Sequence, residues 1–300
     1  MVVLAIPEYY YEYKAHQCKK IIPPYYSLNK VYNAVDVNAD LIVLGNSRAQ
    51  GHYDEQIISA DLGIKCLNLG WSGYPFDYQY YIIYKAYMRQ NAKPRYIITD
   101  ISPYAFFNYI SPNYVLELLP YITKPEFKFY EDLCDEISVS DQFLLVRYAG
   151  MFDKVIKEIG KLREEEEKSE PATGSILPFH DLEELTKAEH LDINPKILNT
   201  FIKYIDECLA NDIKMIFVCS PMHINICREK LPLQEFWQLI NGIVADKDIT
   251  ILDYSDLFDS DTTYFSDPFH LNPMGKSLFS QKLSHDLDSM QIITKDKKDC

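Results

Sequence analysis

Three short segments of this chain hold residue types that can do chemistry together. The first, LGNSRAQGH, follows an apolar run and carries Ser47 two residues after Gly45. A glycine permits a sharp turn out of a strand, and a serine at the start of the next helix projects its hydroxyl outward beside free backbone N–H groups. The second, NLGWSGYP, brackets Trp71 and Ser72 with Gly70 and Gly73. Glycines here allow close backbone approach and free an N–H for a developing oxyanion. The third, YFSDPFHLNPMGKSLFSQKL, sets Asp267 three residues before His270, with Pro268 stiffening the turn. A carboxylate at that spacing can accept the Nδ1–H of the imidazole, fix its tautomer and leave Nε2 as a base. Each segment alone also has a plain structural explanation: a turn, a strand–helix connection, a capping Asp beside an exposed His.

Five short apolar runs must position these segments: LIVL at 41–44, IKCLNL at 64–69, RYIIT at 95–99, KMIFVCS at 214–220 and ITILDY at 249–254. Their nearly continuous apolar character suits strands covered on both faces. Helical periodicity lies between them, at 76–91 and 195–212 for example. Alternating strands and helices predict an α/β fold, a three-layer α/β/α sandwich around a five-stranded parallel sheet with right-handed crossovers. Ligands of such sheets bind at the carboxyl ends of the strands, where all three segments fall. From Pro103 to Asp212 about 110 residues pass without a convincing strand, too many for a structureless loop, which predicts a helical insertion at about 105–195. Its PATGSILPFHDL stretch, with His180, is expected near the site, and its EEEE run is expected to be solvated. The expected organisation is an arm or anchor stub over 1–37, one domain over 38–290 and a frayed tail over 291–300.

The balance of 30 Lys+Arg against 44 Asp+Glu gives a net charge of −14, without a basic patch, and argues against nucleic acid as a partner. The 7 cysteines form no CxxC, which argues against a disulfide scaffold or zinc ribbon. Cys219, His223 and Cys227 are the nearest approach to a metal cluster, but Pro221 interrupts their spacing and a fourth ligand is lacking, so no metal is expected. No GxGxxG or GxxxxGK[ST] follows the first run, which argues against a nucleotide, and no cofactor is called for. The 24 Tyr and 15 Phe suit core packing first and sugar faces second. No run of about 18 apolar residues marks a transmembrane helix. The start, MVVLAIPEYYYEYK, reads as the stub of a membrane anchor or as a buried strand or arm.

Taken together, the serine after the first strand, the glycines after the second and the Asp-x-x-His before the last helix resemble the SGNH (GDSL-like) hydrolase superfamily. The resemblance covers roughly residues 38–104 and 210–288. It implies a flavodoxin-like sheet, Ser47 as nucleophile, His270 as base and Asp267 as its orienter. It also implies an oxyanion hole that uses the N–H groups of Ser47 and Gly73. Asn46 replaces the usual aspartate. The third block, Gly-x-Asn-Asp in the superfamily, is TDISPY here, with Asp100 at the glycine position and Ser102 at the position of the asparagine donor.

The implied activity is a serine esterase or O-acyltransferase acting on an acylated carbohydrate, envelope polymer or small ester, similar to the alginate O-acetylation and D-alanyl transfer branch. That analogy leans towards the cell envelope, whereas free cysteines lean towards a reducing compartment. The missing asparagine keeps a second reading open, a glycan-binding or assembly protein on a degenerate scaffold. Arg48 is a candidate for an anionic substrate group, or a structural partner of a nearby carboxylate. Trp71, Tyr74 and Tyr104 follow strand ends and are candidates to line the pocket or to fill the core. His52 is a minor candidate, expected to point away from Ser47.

Overall fold

The computed structural model describes residues 6–17, 25–106, 114–122, 148, 151–167, 190–223, 231–258 and 261–293. Two helices come first, α1 (Ile6–Gln17) and α2 (Tyr25–Tyr32), then β1 (Leu41–Leu44), α3 (Ser47–His52), α4 (Glu55–Leu62) and β2 (Cys66–Asn68). A helix over 76–90, α5, winds as a π-helix at Gln79–Tyr84 and leads to β3 (Tyr96–Asp100). The insertion contributes α6 (Tyr114–Leu118) and α7 (Phe152–Glu167), and α8 (Pro195–Ala210) returns the chain to β4 (Lys214–Cys219). Then come α9 (Leu233–Val244), β5 (Ile249–Asp253), a hairpin of β6 (Phe265–Asp267) and β7 (His270–Leu271), and α10 (Pro273–Ser289). The loop containing His180, much of the expected helical insertion and Cys227 lie outside the described residues.

The five strands pair in parallel in the order β2-β1-β3-β4-β5. This is the doubly wound, flavodoxin-like order, in which β1 and β3 are adjacent and the chain leaves their carboxyl ends in opposite directions. Side chains alternate between two buried layers, as strand geometry requires. Ile42, Leu44, Ile97, Met215 and Phe217 face one layer, with α5, α8 and α9. Leu41, Val43, Ile98, Ile216 and Val218 face the other, with α4 and α10. The sheet is therefore covered on both faces, which is why its strands read as unbroken apolar runs rather than alternating ones.

The helices that matter most to the site begin with strong local signals. Asn272 accepts from the N–H groups of Met274 and Gly275, both at 3.0 Å, and Pro273 occupies the first helical position of α10. Asn46 caps α3 by accepting from Arg48 N–H at 3.1 Å. The first two helices contribute to the main core: Tyr11 and Ala15 of α1 and Leu28 and Val31 of α2 are fully buried, and Tyr11 donates to Leu116 O at 3.1 Å. Among the described residues no helix is long and apolar enough to cross a membrane. Of the tail, Ile292 and Ile293 are buried against the layer of α4 and α10, and residues 294–300 lie outside the described residues.

Candidate active site

Ser47 is the first residue of α3, directly beyond the carboxyl end of β1, the strand next to the point where the sheet order reverses. The β6–β7 hairpin, turned by Pro268 and Phe269, brings His270 to it. Asp267 Oδ1 accepts from the N–H groups of Phe269 at 2.8 Å and His270 at 3.0 Å, so the carboxylate itself shapes the turn. His270 Nδ1 lies 2.8 Å from Asp267 Oδ2 and 3.0 Å from Oδ1, while Nε2 lies 2.8 Å from Ser47 Oγ. A carboxylate only accepts, so the imidazole proton sits on Nδ1, and Nε2 accepts from the Ser47 hydroxyl. Asp267 is buried and His270 half-buried, so one end of the row is shielded and the other meets solvent. Serine, imidazole and carboxylate thus form the hydrogen-bonded row expected from their spacing.

The glycine segment is laid against α3. Trp71 N–H donates to Gly45 O at 2.8 Å, and Ser72 N–H donates to Gln50 Oε1 at 3.2 Å. The fit has no room for a side chain at Gly70: a Cβ there would lie 2.3 Å from Gln50 N and 2.7 Å from Ala49 C. Gly70→Ala must therefore push this segment off α3, and we expect it to lower stability by about 1–3 kcal/mol in urea unfolding. Gly73 adopts φ of 83°, open to solvent, a conformation that a β-carbon disfavours. The N–H groups of Ser47 and Gly73 make no hydrogen bond to another described residue.

Several expected site residues lie elsewhere. Arg48 does not face a substrate: it is 2% exposed, with Nε 3.9 Å from Asp100 Oδ1 and Nη2 donating to Ser220 O and, at 3.0 Å, to Ser220 Oγ. Burial draws the Arg48 guanidinium down, and Asp100 and Cys219 return it above its ordinary range. Burial pushes the Asp100 carboxyl up, against the pull of Arg48, Ser220 and Tyr53. The charge pairing that the sequence left as one option is the one adopted, because the short α3 turns Arg48 inward over the ends of β3 and β4. Trp71 is likewise fully buried, stacked on Tyr74 at 3.8 Å between ring centroids, and the Tyr74 hydroxyl donates to Glu117. Both fill the main core rather than line a pocket. Tyr104 stays at the site, half-buried, its ring edge-on to Phe269 at 5.6 Å, one residue from His270. Ser102 is completely buried, and its Oγ has no hydrogen-bond partner among the described residues, so the donor expected at the asparagine position does not open to the cleft.

Spacing alone did not find Ser220, Tyr53 or the role of His52. All three belong to a polar cluster under Ser47: Tyr53 donates to Asp100 Oδ2 at 2.7 Å, and His52 Nδ1 lies 2.8 Å from Ser220 Oγ. The one signal for Ser220 was its position directly after a strand. His223, a candidate metal ligand, is buried beside the hairpin, with its N–H donating to Pro268 O at 3.2 Å. Among the described residues no group of His, Cys, Asp and Glu is arranged to hold a metal. Cys219 and Cys66 are buried free thiols, and burial pushes Cys219 up to about 12. Neither models of known protein families nor curated proteins match this chain.

Proposed function

We propose that the protein is a serine esterase or O-acyltransferase of the SGNH type, acting on an O-acylated carbohydrate or a related ester. The observation that carries the reading is the unbroken row Ser47 Oγ–His270 Nε2–Asp267, with 2.8 Å at each link. These contacts lie within the roughly 2.6–3.2 Å that proton transfer needs. In the proposed reaction His270 Nε2 takes the hydroxyl proton as Ser47 Oγ attacks the ester carbonyl. Asp267 holds the imidazolium that forms and keeps its ring in line. The N–H groups of Ser47 and Gly73 stabilise the oxyanion. The alcohol leaves with the proton from His270, and an acyl group remains on Ser47. Water or a sugar hydroxyl then attacks this ester, giving its proton to His270, and the bond between the acyl carbon and Ser47 Oγ breaks as His270 passes that proton back to the departing Oγ. Water makes the protein an esterase, and a sugar hydroxyl makes it a transferase.

One observation favours the alternative of a glycan-binding protein without turnover: Ser102 is buried and does not supply the third donor of an oxyanion hole. A missing donor costs about 2.7–4 kcal/mol of transition-state stabilisation, which slows the reaction without removing its nucleophile. A serine-reactive phosphonate and p-nitrophenyl acetate separate the two readings. We expect wild type to be labelled once, at Ser47, and to release p-nitrophenol, and Ser47→Ala to do neither. Equal behaviour of wild type and Ser47→Ala would sink the proposal.

A further inference from the structure

A second histidine lies beneath the row, and its two ring nitrogens are both engaged. The backbone N–H of Leu271 points at His52 Nε2, 3.1 Å away. A backbone N–H can only donate, so Nε2 accepts, and the ring proton of the neutral imidazole must sit on Nδ1. Nδ1–H then donates to Ser220 Oγ at 2.8 Å. The Ser220 hydroxyl and carbonyl oxygens in turn receive Arg48 Nη2. The chain Arg48–Ser220–His52–Leu271 therefore starts one residue after Ser47 and ends one residue after His270. It joins two segments that are otherwise 223 residues apart in sequence. The His52 and His270 rings meet edge to face at 6.2 Å between centroids, so a shift of one is felt by the other.

We propose that His52, in its Nδ1–H tautomer, is a positioning residue for the acyl transfer: it fixes the height of the β6–β7 hairpin over α3, and through it the distance between Ser47 Oγ and His270 Nε2. The inference rests on the reading of Ser47 and His270 as nucleophile and base. His52 is not a rival base, because neither nitrogen is free. Protonation would set a second N–H against that of Leu271 and break the bridge. Burial, then the charges of Arg48 and His270, hold its pKa well below the usual histidine range, against the upward pull of the Phe269 backbone. The bridge thus stays intact at the pH where His270 has to act as a base.

The phosphonate reads positioning as the limiting rate of labelling, separate from the affinity of the probe. His52→Ala is expected to lower that limiting rate about 100-fold, the cost of misplacing reacting groups by roughly 1 Å, with affinity changed less than about twofold. His52→Gln, which can accept from Leu271 N–H and donate to Ser220, is expected to recover most of the rate. A purely structural role would lower Tm in His52→Ala and leave the limiting rate of the folded fraction unchanged, and that result overturns the proposal. Nitrogen NMR of 15N-histidine protein needs no activity and covers a variant that fails to fold. In wild type, His52 should show one protonated and one bare ring nitrogen throughout about pH 6–8. A titrating or tautomer-averaged His52 also overturns the inference. Failure of Ser47 labelling in wild type removes the acyl-transfer reading instead. The low-field Nδ1 proton of His270 then serves as readout: its loss in His52→Ala and return in His52→Gln supports positioning, and its persistence in His52→Ala refutes it.

Discussion

Replacing His270 with alanine is expected to lower the acylation rate with p-nitrophenyl acetate by about 10⁴–10⁶-fold, while leaving the protein folded. The size follows from how the row works. Ser47 is a poor nucleophile unless its proton is taken as it attacks, and among the described residues Nε2 of His270 is the basic atom within hydrogen-bond reach of its Oγ. Removing it leaves whatever the two N–H donors and substrate binding still contribute. Asp267→Asn tests the other end of the row and is expected to cost about 10⁴-fold, because an amide turned to keep the backbone contacts favours the wrong imidazole tautomer. The two variants should not be additive, since each disables the same proton transfer. His270 sits at a half-buried position on a two-residue strand, so its loss should change Tm little. Burst-phase release of p-nitrophenol, with circular dichroism as a folding control, checks this. Acylation by His270→Ala within tenfold of wild type would remove His270 as the base.

The three residues of the row were legible because each carried a local signature, Ser47 after Gly45 at a strand end and Asp267 and His270 at turn spacing, and so was the helix start at Asn272–Pro273. The strand runs were legible for the same reason, since burial on both faces leaves an unbroken apolar stretch. The surroundings of the row were not, because they depend on which strand ends become neighbours. Arg48 meets Asp100 and Ser220 only through the order β1-β3-β4, and these residues come from three separate stretches of sequence. His52 is expected by sequence to point away from Ser47, and it does turn to Ser220 and Leu271 instead, partners that its place at the end of the six-residue α3 does not reveal. For Trp71 and Tyr74 the place after a strand left pocket and core both open; the segment bends over α3 and drives both rings into the main core. The first helix shows the same limit. Its tyrosines split between the core (Tyr11) and solvent (Tyr9 and Tyr13, 68% and 53% exposed), and that division is set by what covers the helix rather than by composition.

The largest stability effect is expected at Arg48. Its charge lies in a buried site with Asp100, yet Arg48 Nε, Arg48 Nη1 and Asp100 Oδ1 have no hydrogen-bond partner among the described residues. Such a pair adds little net stability, because desolvation offsets attraction. Breaking it is another matter: Arg48→Ala leaves the Asp100 carboxylate in a site without solvent, with Tyr53 and Ser220 as its neutral partners, and removes both hydrogen bonds that Arg48 Nη2 gives Ser220. We expect a loss of about 3–5 kcal/mol at neutral pH in urea unfolding. The pH dependence separates this cause from a simple cavity. Burial already raises the Asp100 pKa in the folded state, so this group favours folding most when protonated, below its unfolded pKa, and that contribution is lost as pH rises through the folded value. Without Arg48 the folded pKa rises further, so the penalty in the variant is largest at neutral pH and shrinks as acid neutralises the carboxyl. Arg48→Ala/Asp100→Asn, which removes the stranded charge altogether, should regain part of the loss at neutral pH. A deficit in Arg48→Ala that stays constant from neutral pH into acid would mean that the guanidinium acts as bulk in the core, and that Asp100 is carried by Tyr53 and Ser220 without it.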